Sequence, residues 1–194
     1  MKALFTDLRA AIASTLVLAV VCCGFYPVVV WGISQTLFKD KANGSLIKDP
    51  DGTVRGSSLL VQGFSSDRYF IPRPSAAGTG YDAANSGGTN LGPTSKKLAD
   101  AIKQAIADYR KQNGLDEQAA VPADAVTSSG SGLDPHISLR NAGLQTTRVA
   151  RARGLTPDRV KDLIIANTDA ANLGILGEPG VNVLRLNLAL DAVK

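Results

Sequence analysis

Between Ala10 and Phe38 the chain reads AAIASTLVLAVVCCGFYPVVVWGISQTLF, 29 residues without a charged side chain. At about 1.5 Å of rise per residue, a helix of that length exceeds the roughly 30 Å hydrocarbon core of a bilayer. A soluble core helix has no use for so long an uncharged run. The stretch therefore predicts one transmembrane helix over residues 10–38, preceded by a flank (1–9) and followed by a single tethered domain (39–194). A cleaved signal peptide is the rival reading, with Lys2 and Arg9 as its basic start. Signal peptides carry about 7–15 apolar residues before a small-residue cleavage site. Here the apolar run continues well past Gly24, and Val20-Val21 before Cys22 fits a lipoprotein cleavage site poorly.

Within the run, Ala11, Thr15, Ala19 and Cys23 recur every four residues. That spacing puts four small side chains on one helix face, where another helix can approach closely; these four are candidate partner contacts. Pro27 removes one backbone N–H in mid-run, which membrane helices tolerate when neighbouring groups re-satisfy the backbone. Trp31 is placed to mark the far interface. Lys2 and Arg9 flank one end and Lys39, Lys41 and Lys48 the other, so charge leaves the orientation open.

The net charge is +4, and no basic run reaches five residues, which argues against a nucleic-acid face. Cys22 and Cys23 are the only cysteines, so the domain beyond the apolar run has no disulfide, thiolate metal site or thiol nucleophile.

Beyond residue 38 the pattern is mixed, an α+β fold without repeats. Ser57–Gln62, Tyr69–Ile71 and Val181–Leu186 read as short strands. Leu98, Ile102, Ala105, Ile106 and Tyr109 make one apolar helical stripe, ended by Asn113-Gly114. A second helix falls within Ile137–Arg153, stopped by Gly154, with Arg148, Arg151 and Arg153 set to favour its C-terminal dipole. Thr156-Pro157 opens a third, with Val160, Leu163 and Ile164 as its apolar face. Asn187–Val193 closes the chain with a helical turn.

The stretch 74–95, PSAAGTGYDAANSGGTNLGPTS, holds five glycines and one charge, Asp82. Loops of this length in compact domains are usually functional or disordered. Gly78-x-Gly80-x-x-Ala83 matches the dinucleotide fingerprint only as a string, because no strand precedes it and no helix opens after it. Gly87-x-x-x-x-Gly92-Pro93-Thr94 has proline where a P-loop needs its lysine. The loop reads better as a polar loop packed on a partner, or as a plain surface loop; on the first reading Ser86, Gly87, Gly88 and Asn90 are candidate contacts.

His136, in Leu133-Asp134-Pro135-His136-Ile137-Ser138, is the only histidine. A triad with Ser138 and an aspartate is conceivable, but triads are defined by geometry rather than sequence proximity. No second histidine accompanies it for a metal site. Asp124, Asp134 and Asp169 read as caps and turns. The expectation is no catalytic residue, no metal and no tightly bound cofactor.

A series of segments resembles the C subunit of the Kdp potassium-transporting P-type ATPase, the KdpC family. It comprises YPVVVWGISQTLF (26–38), ANGSLI (42–47), GSSLLVQ (56–62), RPSA (73–76), SGGTNLGPTS (86–95), SGLDPHIS (131–138) and LGEPGVNVLRLNLALD (176–191). The segments occur in order over nearly the whole chain. The resemblance implies a bacterial inner-membrane subunit beside a channel-like potassium-binding subunit and a P-type ATPase subunit. It implies an accessory, non-catalytic role in high-affinity potassium uptake, as a catalytic chaperone raising the ATP affinity of the ATPase subunit. ATP would then be met only in the complex. It further implies a cytoplasmic N-terminus and a domain outside. The sequence departs from the family at Val61, where glycine is frequent, and at Thr168–Ala170, where members can carry a glutamine proposed to face nucleotide. The alternatives are a membrane-anchored hydrolase using His136 and a nucleotide-binding module using the Gly-rich loop.

Overall fold

The computed structural model describes residues 2–193. The chain forms two compact units that meet in sequence between Leu46 and Ile47. The first is built on a continuous helical rod. Helix α1 (Lys2–Ala19) passes into a π-helical turn (Val20–Phe25) and then α2 (Tyr26–Leu37). Ala3–Leu37 is long and apolar enough to cross a membrane, and none of it is buried within the protein. Helical backbone thus extends through the stretch that sequence sets apart as a flank.

Pro27 explains the π turn. Proline lacks an N–H, and its ring collides with the carbonyl four residues back, here that of Cys23. Widening the helix by one residue relieves the collision, and the Tyr26 N–H duly bonds the Val21 carbonyl, five residues back. A short helix α3 (Lys39–Ala42) follows.

The boundary between the units falls at the first residue of a two-stranded hairpin, β1 (Leu46–Lys48) and β2 (Val54–Ser57). The Asp49 N–H bonds the Thr53 carbonyl across its turn, and Asp49 pairs with Arg55. A long irregular stretch leads to α4 (Lys96–Asn113), then a 3₁₀ turn (Ala123–Ala125), β3 (His136–Ser138) and α5 (Leu139–Arg153). Then come α6 (Pro157–Ala166), β4 (Thr168–Asp169), β5 (Gly180–Asn182) and α7 (Val183–Ala192). The three short strands form an antiparallel sheet in the order β3-β5-β4, with Ile137 opposite Val181 and Asp169 opposite Gly180.

Local chemistry sets the helix ends. Ser95, Ser138, Thr156 and Asn182 each accept a hydrogen bond from the backbone N–H three residues on, capping α4, α5, α6 and α7. Gly114 and Gly154 end α4 and α5 in the left-handed conformation. The core joins α5, α6 and α7 to the sheet through Val149, Val160, Ile164, Val181, Leu186 and Leu190, with Phe70 inserted.

Three strand expectations need correction. Ser57–Gln62 is not a strand: β2 ends at Ser57 and turns follow, leaving Leu59 exposed. Val181–Leu186 splits at Asn182, strand before it and helix after. Val183, Leu186 and Leu190 all lie buried on one face of α7, so the helical period was present beneath the local density of apolar residues. Tyr69–Ile71 leaves a turn, in which the Tyr69 N–H bonds the Ser66 carbonyl, and has no partner strand. The Asn187 side chain instead accepts from the Phe70 N–H (2.8 Å) and donates to the Phe70 carbonyl (2.9 Å). Gln145 does the same for Ile71, at 2.8 and 3.0 Å. Two side-chain amides therefore satisfy this backbone in place of a ladder.

The arginines of α5 also differ from expectation. Rather than merely facing the helix dipole, Arg148 is buried and donates to the carbonyls of Asp67 and Tyr69, to Asn113 and to Gln145. Arg153 bonds the carbonyls of Arg68 and Leu190 and pairs with Asp191, and its guanidinium lies 4.9 Å from the Tyr69 ring centre.

Candidate functional site

The polar side chains of the second unit converge on His136. It opens β3 opposite β5, and Gly180 makes room for it: a Cβ there would lie 3.0 Å from the His136 Cβ. Its Nε2 is 2.8 Å from Asp169 Oδ2, and its Nδ1 is 3.7 Å from Asp134 Oδ1. The longer contact is ionic rather than a hydrogen bond. Asp134 also accepts from Arg73 Nη1 at 2.9 Å, and Arg185 Nη2 lies 2.5 Å from Asp169. The result is a line of alternating charge, Arg73–Asp134–His136–Asp169–Arg185. Its Arg73, Asp134 and His136 border an open polar cavity of about 420 Å³ that Asp124, Ser138 and Glu178 also line.

These neighbours set the protonation. Asp134 first, then Asp169, raise the His136 pKa, against partial burial. The His136 side chain, with help from its backbone N–H and Arg73, holds the Asp134 carboxyl down to about 2. Burial opposes ionisation of Asp169, but Arg185 and His136 outweigh it and keep its pKa low. An imidazole with a carboxylate at each nitrogen favours its protonated form, which makes it a poor general base at neutral pH.

Ser138 points its chemistry elsewhere. Its hydroxyl donates to Asp124 Oδ1 (2.9 Å) and accepts the Asn141 N–H as the α5 cap, while Asp124 Oδ2 takes the Ser138 N–H and the Asn141 amide. Both Ser138 and His136 thus spend their hydrogen bonds on aspartates, and no Ser–His pair assembles. Among the described residues, no group of three or more His, Cys, Asp or Glu side chains is placed to hold a metal ion. Asp134 and Asp169, read from sequence as turn residues, instead clasp one histidine. Their 35-residue separation hid that relation, and Arg185 gave no local signal at all.

The Gly-rich loop lies along a seam with residues 128–132. Ser86 Oγ and the Gly87 N–H both donate to the Ser131 carbonyl, at 3.0 and 2.8 Å. Gly88 lies against Gly130, where an added Cβ would be 3.1 Å from the Gly130 oxygen. On the other side Ser75 Oγ donates to the Gly132 carbonyl and accepts the N–H groups of Ala77 and Tyr81. Residues 78–83 form turns with neither a preceding strand nor a following helix. The seam brings Ser86, Gly87 and Gly88 together, while Asn90 stands exposed beyond it with φ of +52°.

On the first unit, Ala11, Thr15, Ala19 and Cys23 are all exposed along the rod. The Thr15 hydroxyl is already spent on the Ala11 carbonyl at 2.8 Å, so this face offers close approach rather than a hydrogen bond.

Residues 8–192 match the family described as KdpC: K+-transporting ATPase, c chain. The chain belongs to the KdpC family. It is 53% identical over 185 residues to the potassium-transporting ATPase KdpC subunit of Mycobacterium tuberculosis (strain H37Rv), covering 95% of this chain and 97% of that one. The KdpC subunit of Nitratidesulfovibrio vulgaris is 51% identical over 191 residues, covering 98% and 96%. That of Koribacter versatilis is 45% identical over 194 residues, covering all of this chain and 96% of its own. The match runs through both units, the apolar helical rod and the α+β unit alike.

Proposed function

We propose that this chain is a single-span accessory subunit of a bacterial K+-transporting ATPase, and that it contributes assembly and coupling rather than chemistry. The near-full-length family match carries the reading. The way Ser138 and His136 are engaged by aspartates supports the non-catalytic part. In this reading the N-terminus is cytoplasmic and residues 39–194 lie outside the inner membrane. The partners are a channel-like potassium-binding subunit and the ATP-hydrolysing P-type subunit. ATP is met only in the complex, and any gain in ATP affinity is transmitted through the membrane helices. The Ala11/Thr15/Ala19/Cys23 face and the Ser86–Asn90 edge are the proposed contact surfaces.

The test is to purify the complex with and without this chain. Co-purification with two larger membrane subunits, restored potassium-stimulated ATPase activity and no hydrolysis by the chain alone are expected. ATP hydrolysis by the isolated chain would sink the proposal. A reporter fused after Lys194 that reads cytoplasmic would overturn the topology.

A further inference from the structure

Helix α4 carries more apolar surface than its own unit covers. Tyr109 is buried and its hydroxyl donates to Asn141 of α5, which fixes that end of the helix. Toward the N-terminus the same face is only partly covered. Leu98, Ile102 and Ile106 are half-buried, and Ala99 and Ala107 are exposed. An open groove of about 590 Å³ runs along this strip, lined by Ala99, Ile102, Lys103, Ile106, Ala107 and Arg110. A second groove along Leu98, Ala101 and Ala105 has no charged residue in its wall.

The charges bordering the strip are of one sign. Lys96, Lys103 and Arg110 recur at seven-residue spacing. That spacing drifts by only about 20° per heptad, so the three form one row along the helix, about 21 Å long. The row borders Ala99, Ile102 and Ile106, whereas Asp100 and Asp108 fall beyond it, away from the strip. None of the five α4 cations, Lys97 and Lys111 included, makes a salt bridge among the described residues. Arg110 donates to the Ala119 carbonyl, a neutral group that leaves its charge uncompensated.

Two observations choose the occupant. An unpaired row of cations beside an apolar strip complements an anionic surface, and a row of that length suits a continuous plane better than a single pocket. Such a plane is close at hand. The rod is long and apolar enough to cross a membrane, and the second unit begins at Ile47, ten residues after α2 ends. So short a tether keeps the unit at high effective concentration beside the bilayer. Resting on the single span proposed above, we infer that α4 lies on the surface of an anionic bilayer. Lys96, Lys103 and Arg110 face phospholipid phosphates, and Ala99, Ile102 and Ile106 sit at headgroup level. The strip is small, so charge carries most of the attraction.

The test places the full-length chain, with a photo-crosslinking side chain at Ala99, in vesicles of phosphatidylcholine with or without an equal share of phosphatidylglycerol. Lipid adducts should rise about five-fold or more when phosphatidylglycerol is present. Lys96→Glu with Lys103→Glu should return the yield to the phosphatidylcholine level. Arg159→Glu with Lys161→Glu, an equal change of charge at exposed positions on α6, should leave it at the wild-type level. The α4 pair replaces exposed, unpaired side chains, so its thermal midpoint should match the wild type, which separates lost docking from misfolding. In the assembled complex the side chain at Ala99 should still mark lipid. An adduct to another protein subunit overturns the inference, as does a yield indifferent to phosphatidylglycerol in chain that resists alkaline carbonate extraction. Chain that carbonate strips from the vesicles would mean that the rod does not span, which overturns the proposed single span along with this inference.

Discussion

His136 holds its proton between two carboxylates, and that arrangement has a definite sign. Its folded pKa is raised, so its contribution to stability is fully present below the unfolded value near 6.5. The contribution is lost as pH rises through the folded pKa. The thermal midpoint of the full-length chain in detergent should fall on going from pH 6 to pH 9, on the order of 2 °C after allowing for partial exposure. His136→Gln should flatten that dependence. Asp134 acts in the opposite window: with its pKa held at about 2, it stabilises above the ordinary carboxylate range and loses its effect as pH falls toward 2. An unchanged slope between pH 6 and pH 9 in His136→Gln would show that the histidine's ion pairs contribute nothing measurable.

Elements here are fixed by their ends and seams more than by their ladders. The caps at Thr156 and the stops at Gly114 and Gly154 were legible in sequence, because capping is a property of adjacent residues. The strands were legible only in part, at Val181-Asn182, because they are two to four residues long, and β3 pairs with a strand more than forty residues on. The Tyr69–Ile71 backbone is satisfied by side chains 74 and 117 residues away, a relation no local pattern announces. The seam of the Gly-rich loop depends on one position in particular. Gly132 has φ of +67°, and an added Cβ would lie 2.6 Å from the Gly87 oxygen and 2.7 Å from the Ala77 nitrogen. Gly132→Ala should destabilise the chain by about 2–4 kcal/mol, combining left-handed backbone strain with overpacking. Gly130→Ala, where a Cβ meets nothing within 4 Å, should change stability by less than about 0.5 kcal/mol. Thermal or denaturant unfolding of the pair decides it; equal midpoints would mean the seam is not closed by Gly132.

For the whole molecule, an apolar helical rod long enough to cross a membrane and a small α+β unit were both readable from the chain, the rod from its uncharged run. The His136 cluster was not, because it needs residues brought together by the fold. The rod's small-residue face is tested by size. Ala19→Phe should weaken assembly by about 1–3 kcal/mol through overpacking of a helix contact, while Val17→Phe, two residues away on the opposite side, should not. Equal co-purification of both variants would reduce the stripe to membrane composition. The side-chain clamps on Phe70 and Ile71 have a further consequence, for amide exchange with solvent. A strand at a sheet edge frays one bond at a time. These two N–H groups are instead gripped by residues of α7 and α5, the helices that carry the core. In deuterated water they should exchange as slowly as the core helices themselves, released only when the whole unit opens.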